Sequence, residues 1–290
     1  MSEWLNRFRT FLAKRSGVAL DADKLYFVES RLQSLAQQYG MASAEDLFAR
    51  IEKSGDPVLE SEIIQALLTN ETFFFRDRIP FDHFRNVVLP HLVEARAAKR
   101  HIRIWCAAAS TGQEPYSLAM ILDEEARRLA GWRVEILATD LSEQALETAR
   151  QGVYTQFEVQ RGLPINQLLR YFHREGDRWR VAEHLRARVQ FRQFNLLSDF
   201  QPLGAFDVIF CRNVLLYFDL DLRRKVLNRL VGAMAPDGYL ALGATESVVG
   251  ICDRLEPHPK HQSICTRRDT IASPPVALAR PALKLISGGS

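Results

Sequence analysis

The chain has 290 residues, 47% hydrophobic and 25% charged, which fits an ordinary globular protein of one large domain or two modest ones. A formal net charge of +3 is too small to mark a general nucleic-acid binder, no apolar run approaches the roughly 20 residues that span a bilayer, and "MSEWLNRFRT" is too polar for a signal peptide. Cys106, Cys211, Cys252 and Cys265 form no CxxC pair and show no zinc-ligand spacing, so a reduced, cytoplasmic protein without a metal is expected.

Residues 1–70 predict helices only. "EWLNRFRTFLAKRSG" sets Trp4, Phe8, Phe11 and Leu12 on one face and stops at Gly17. "ADKLYFVESRLQSLAQQYG" repeats Leu25, Val28, Leu32 and Leu35 at helical spacing and ends at Gly40. "SAEDLFARIEKSG" opens on Ser43 as an N-cap and closes at Gly55, and "DPVLESEIIQALLTN" carries Pro57 in its first turn. Residues 1–75 hold eight Lys/Arg against eleven Asp/Glu, yet Arg7, Arg9, Lys14 and Arg15 crowd the first helix. A basic helix on an acidic domain suits local recognition of an acidic partner.

"TNETFFFRD" at Thr69–Asp77 joins this domain to the next, and residues 71–90 read as a junction. Three consecutive phenylalanines belong at a packed boundary. Asn70, Thr72 and Arg76 lie among them, and an arginine there can pair a ligand carboxylate through two parallel bonds. From 91 to 269 the pattern changes. "HIRIWCA", "RVEILATD", "RVQFRQFN", "FDVIFCRN" and "GYLALGA" are short apolar runs, mostly separated by helical stretches at Glu114–Ala130, Ser142–Gln151 and Leu220–Ala235. That alternation predicts an α/β fold, a mostly parallel sheet covered on both faces, with ligands beyond the carboxyl ends of the strands. Residues 153–188 break it with Gly162–Leu163–Pro164, a short helix around Leu168–Phe172 and a hairpin turn at Gly176–Asp177, and read as a small inserted β subdomain. Residues 270–290, rich in Pro, Ala, Ser and Gly, read as a flexible tail.

The first strand runs through "AAASTGQEPYS" into a helix. A dinucleotide site wants G-x-G-x-x-G there, and this loop offers only Gly112. Glu114 at the helix entrance repels a phosphate and suits a cation, which favours S-adenosylmethionine (SAM) over NAD or ATP; the alternative is a first-turn acid stabilised by the helix dipole. Asp140 ends the second strand, placed for two ribose hydroxyls or for capping the next helix. Asn195, just past the third long strand, can read an adenine edge or brace its own loop. After Cys211, Asn213 can meet the methionine part of the cofactor and Tyr217 can border a substrate channel or simply cap the core.

Taken together, "NETFFFRD", "AAASTGQEPYSLAM", "ATDLSEQALETAR", "GVY", "FNLL" and "FDVIFCRNVLLYFD" closely resemble the chemotaxis-receptor glutamate methyltransferases, the CheR family. With "GVALDADKLYFVESRL" the likeness runs from about Arg15 to Arg268. The resemblance implies a Rossmann-like SAM-dependent methyltransferase domain with a small β insertion, preceded by an all-helical N-terminal domain. It implies SAM contacts at Asn70, Thr72, Arg76, Glu114, Asp140, Asn195–Leu196 and Asn213–Val214, and S-adenosylhomocysteine as product. It further implies methyl transfer to the γ-carboxylate of glutamates on the cytoplasmic helical bundle of a chemoreceptor. Lys24 and Arg31 stand on the second helix where receptor-contacting members carry basic residues, whereas Gln33, Gln37 and Gln38 depart from that pattern. "LGATESV" resembles the family's late Gly-x-x-Glu-Ser turn, with Ala244 where many members have a polar residue.

A glutamate with a pKa of about 4.3 is already ionised at neutral pH, so no strong general base is needed, and Arg76 and Tyr217 are expected to position rather than to transfer protons. The histidines sit in charged or amphipathic contexts and read as surface or packing residues. Two rivals remain at this stage. "RNVLLYF" faintly echoes the Asn-x-x-Tyr element of amino-group methyltransferases acting on nucleic acid, without their adjacent prolines or a basic stripe. The other is a SAM-binding regulator with no catalysis. A monomer with no nucleic-acid partner and no membrane insertion is expected.

Overall fold

The computed structural model describes residues 2–20 and 25–268; Lys24 and the tail from 270 lie outside them. Four helices come first: α1 (Glu3–Ser16), α2 (Leu25–Gln38), α3 (Ala44–Ser54) and α4 (Pro57–Leu67). Ser43 caps α3 by accepting from the Asp46 N–H, Gly55 ends it at φ 61°, and Asp56 caps α4 through the Val58 and Leu59 N–H groups. Their apolar faces meet in one core of Trp4, Phe8, Leu12, Leu32, Phe48, Ile51 and Ile63, with Phe8 and Phe48 edge to face at 5.1 Å.

The junction is more ordered than a linker. α5 (Ile79–His83) continues through a single π turn at Phe84–Val88 into α6 (Leu89–Ala95). Leu89 N bonds Phe84 O, one residue wider than an α-helix, directly before Pro90, which has no N–H to give. Of the three phenylalanines, Phe74 and Phe75 are buried.

Beyond the junction come β1 (His101–Ala107), α7 (Gln113–Glu124), β2 (Arg133–Asp140) and α8 (Glu143–Gln151). An inserted segment follows: β3 (Val153–Thr155), α9 (Gln156–Gln160), α10 (Ile165–Tyr171), β4 (Phe172–Glu175), β5 (Arg178–Val181) and α11 (Glu183–Arg186). Its three strands form a separate antiparallel sheet, β3-β5-β4, with the two-residue turn Gly176–Asp177 between β4 and β5. The chain then gives β6 (Val189–Gln193), β7 (Phe206–Cys211), α12 (Leu220–Ala233), β8 (Met234–Leu242), β9 (Leu255–His258) and β10 (His261–Arg267).

The large sheet has seven strands in the order β6-β2-β1-β7-β8-β10-β9, parallel except that β10 runs antiparallel to both neighbours. Both faces are covered, which is why the central strands read as unbroken apolar runs. Ile104, Cys106, Val208 and Phe210 face one core with α7, and Trp105, Ala107, Ile209 and Cys211 face the other with α12. Strand order reverses between β1 and β7, the place where such sheets open a crevice. There the strand ends are level: Ala107 pairs with Thr139 on one side and Cys211 on the other.

Candidate active site

The loop after β1 turns sharply. Ala108, Ser110 and Gly112 all have positive φ, at 65°, 51° and 95°. A Cβ on Gly112 would lie 2.8 Å from that of Ala149, so the helix entrance admits only glycine here. The turn aims the Ser110 N–H at Asp140, 2.7 Å from Oδ2, while Ser142 N lies 2.8 Å from Oδ1. Burial pushes the Asp140 carboxyl up, and backbone N–H groups of Ser142, Ser110 and Leu141 pull it back toward the ionised form. The carboxylate keeps acceptor capacity for a further donor. Ser142 is the cap of α8, so Asp140 is not needed for that task.

Glu114 is buried at the start of α7. The sequence leaves it as a carboxylate suited to a cation or as a first-turn acid; in the structure Arg212, 2% exposed at its side chain, donates through Nη1 to Glu114 Oε2 at 3.0 Å. Burial raises the Glu114 pKa and Arg212 opposes the rise. The pocket's charge is therefore a pair with its cation turned toward the junction, a partner that the composition of the loop alone does not reveal.

Asn195 has a long-range partner as well. Its Nδ2 donates to Arg15 O at 2.7 Å and its Oδ1 accepts from Leu197 N at 2.9 Å. These bonds brace the loop and tie it to the end of α1, and the amide has a second N–H and a second lone pair beyond them. Asn213 has φ 58°, and the turn from Asn213 to Leu216 folds around the carboxylate of Glu246, which accepts four of its backbone N–H groups.

The helical domain closes the cleft. Ala19 N donates to Tyr217 O at 2.8 Å, Ser110 Oγ donates to Asn70 O at 2.9 Å, and Ser16 and Val18 join the wall. Asn70, Thr72, Arg76, Glu114, Asp140, Asn195, Leu196, Asn213, Val214 and Tyr217 all line this one cleft of about 1010 Å³, open mouth included. Arg31 does not: it is exposed on α2, with Nη1 donating to Ala66 O and Leu67 O near the end of α4. Ser16, Ser110, Arg212 and Glu246 are the contributors that motif reading passes over, although the last two stand inside "FCRN" and "LGATES".

The donor set fits a ligand with a ribose diol and an α-amino acid end. Asp140 has acceptor capacity left, Arg76 shows only its Nη1 bonded, to Glu71 O at 2.7 Å, and Arg212 Nε is a buried donor with no partner. Among the described residues no His, Cys, Asp or Glu group could hold a metal.

Residues 3–68 match the family model described as CheR methyltransferase, all-alpha domain, and residues 70–264 that described as CheR methyltransferase, SAM binding domain. Chemotaxis protein methyltransferase 1 of Pseudomonas aeruginosa is 43% identical over 253 residues, covering 86% of this chain and 92% of that one. Chemotaxis protein methyltransferase Cher2 of Pseudomonas putida is 41% identical over 254 residues, with 86% and 92% covered. The chemotaxis protein methyltransferase of Vibrio parahaemolyticus is 41% identical over 252 residues, covering 86% and 90%. The cleft and the likeness agree, and the chain belongs to the CheR family of SAM-dependent methyltransferases.

Proposed function

We propose that this chain methylates the γ-carboxylate of specific glutamates on a chemoreceptor's cytoplasmic helical bundle, giving glutamate methyl esters. The observation that carries the reading is the convergence of Arg76, Glu114, Asp140 and Asn213 on one cleft at the level carboxyl ends of β1, β2 and β7. The relatives' names, chemotaxis protein methyltransferases, agree with this reading.

Bound SAM supplies a methyl group on a positively charged sulfur. Asp140 would accept from the ribose hydroxyls with its remaining acceptor capacity. Arg76 would clamp the amino-acid carboxylate with its remaining N–H donors, and Glu114 would face the ammonium. Asn213 and Val214 border the same end, with Asn70 and Thr72 closing over it from the junction. Asn195 and Leu196 would border the adenine, Asn195 through the second N–H and lone pair of its amide. The acceptor glutamate is ionised at neutral pH, so the chain's task is to align it and to exclude water. Tyr217, half-buried at the mouth, borders the acceptor channel.

Lys24 and Arg31 are assigned to the acidic receptor surface, and the enzyme acts as a monomer in the cytoplasm. No helix among the described residues is long and apolar enough to cross a membrane. The test is incubation with methyl-labelled SAM and a receptor cytoplasmic fragment. Base-labile label on glutamates is the expected result; label on nucleic acid, or binding of SAM with no transfer, rejects the reading. Arg76→Ala should lower both SAM affinity and turnover, and a full-rate variant would reduce Arg76 to a junction residue.

A further inference from the structure

Arg212 directly follows β7 and ties three segments together. Besides Glu114 on α7, its Nη2 lies 2.8 Å from Asp77 Oδ2 and 2.6 Å from the carbonyl oxygen of Arg76, and its guanidinium sits 5.3 Å from the centre of the Phe81 ring on α5. The segment it grips is unusual backbone: Phe75 and Asp77 have φ of 51° and 66° without being glycine. Such conformations persist only where surrounding contacts enforce them.

The surroundings of Glu114 leave this work to one group. Facing it are the Cys106 thiol on β1, Glu246 from the loop after β8 and, across the guanidinium, Asp77. Burial pushes the Cys106 thiol up, so it stays neutral. Glu246 adds repulsion. Arg212 is the cation among these neighbours.

We propose that Arg212 is a positioning residue for the amino-acid end of the cleft: one planar fork holds Glu114 as a carboxylate and fixes the Arg76–Asp77 turn, so that anion and guanidinium clamp are presented together. This rests on reading the cleft as the SAM site. Removing one partner of a buried pair strands the other, whereas a lysine keeps the charge and loses the fork.

The experiment is calorimetric titration of SAM into the full chain between about pH 6 and pH 9, with unfolding of the ligand-free protein followed over the same range. Arg212→Met should weaken SAM binding roughly a hundredfold at neutral pH. Its affinity should then recover as pH rises and Glu114 ionises. Ligand-free stability should move the other way: a carboxyl whose folded pKa is raised stabilises below its unfolded value and loses that contribution as pH climbs through the folded one. Glu114→Gln in the same background should abolish both pH trends. Arg212→Lys should restore a flat profile but only part of the affinity. Wild-type binding with Arg212→Met, or weakening by one factor at every pH, overturns the proposal. If the methionine variant does not fold, Arg212→Lys decides alone, since full affinity there excludes a role for the fork. A wild-type chain that binds no SAM instead removes the cofactor reading itself.

Discussion

The backbone nitrogen of Asn213 lies 2.8 Å from Glu246 Oε2, across 33 residues of sequence. The same carboxylate accepts from Gly243 N at 2.8 Å, Val214 N at 3.0 Å, Leu215 N at 2.8 Å and Leu216 N at 3.3 Å. An ionised carboxylate is acceptor-only and turns no donor toward these five N–H groups; a glutamine would turn an NH₂ toward some of them. Asn213 and Tyr217 bracket this turn, so its distortion moves the cleft wall. Glu246→Gln should cut turnover roughly a hundredfold, the scale expected for a displacement of about 1 Å at a reacting centre. Steady-state kinetics at saturating SAM measures this, and turnover within twofold of wild type would show the turn to be held by other means.

Asp140 meets Ser110 and Ser142 through different oxygens, at 2.7 and 2.8 Å. Asp140→Asn replaces one acceptor by a donor facing a backbone N–H. The expected cost is about 1–3 kcal/mol of stability, from a buried donor left without a partner, together with at least a tenfold loss of SAM affinity. Asp140→Ala should likewise weaken SAM while the fold survives. Calorimetry checks both, and unchanged affinity in either variant would reject the ribose role.

The helical domain and the five parallel strands were legible because each carries one clean period with plain punctuation: the cap at Ser43, Pro57 in a first turn, and apolar runs ending at Ala107, Asp140 and Cys211. The β9–β10 hairpin was not. Pro257 and Pro259 sit in and beside β9, where an edge strand tolerates a missing donor that a central strand does not, so the segment reads as loop. At the cleft, residue types single out Glu114 and Asn195, and both line it, but the carboxylate and the amide are engaged by long-range partners. Arg212 lies 98 positions from Glu114 and Arg15 180 from Asn195, and pairing at such distances leaves no periodic trace.

Gly162 lets the insertion rest on the junction. A Cβ there would fall 2.0 Å from the carbonyl oxygen of Phe74, and the residue has φ 86°. Phe74 in turn packs edge to face on Tyr154 at 5.1 Å and Phe172 at 5.4 Å, both in the inserted segment. Gly162→Ala should therefore destabilise by about 1–3 kcal/mol through forced backbone strain. Because Asn70, Thr72 and Arg76 flank Phe74, SAM affinity should fall with it. Thermal unfolding and calorimetry together test the coupling; a variant that loses stability but binds SAM normally would show that the insertion and the cleft are independent.

Arg96, just past α6, pins the junction helix to the sheet from the side opposite the cleft. Its Nε lies 2.8 Å from Asp207 Oδ1, and Nη1 and Nη2 lie 2.8 and 2.6 Å from the two oxygens of Asp237. Hydrogen bonding to Arg96 holds the Asp237 carboxyl below its usual range, burial opposing. A depressed folded pKa contributes stability that is fully present above the unfolded value of about 3.9 and is lost as pH falls through the folded one. Arg96→Met should thus be less stable than wild type at neutral pH, by about 1–3 kcal/mol for the stranded acceptors. Below about pH 4 the two should converge, because the wild type alone has this contribution to lose. Urea midpoints measured from neutral pH down to acid give the comparison. A gap that stays constant through the acid range would place the contribution of Arg96 in packing of its stem rather than in the ion pair.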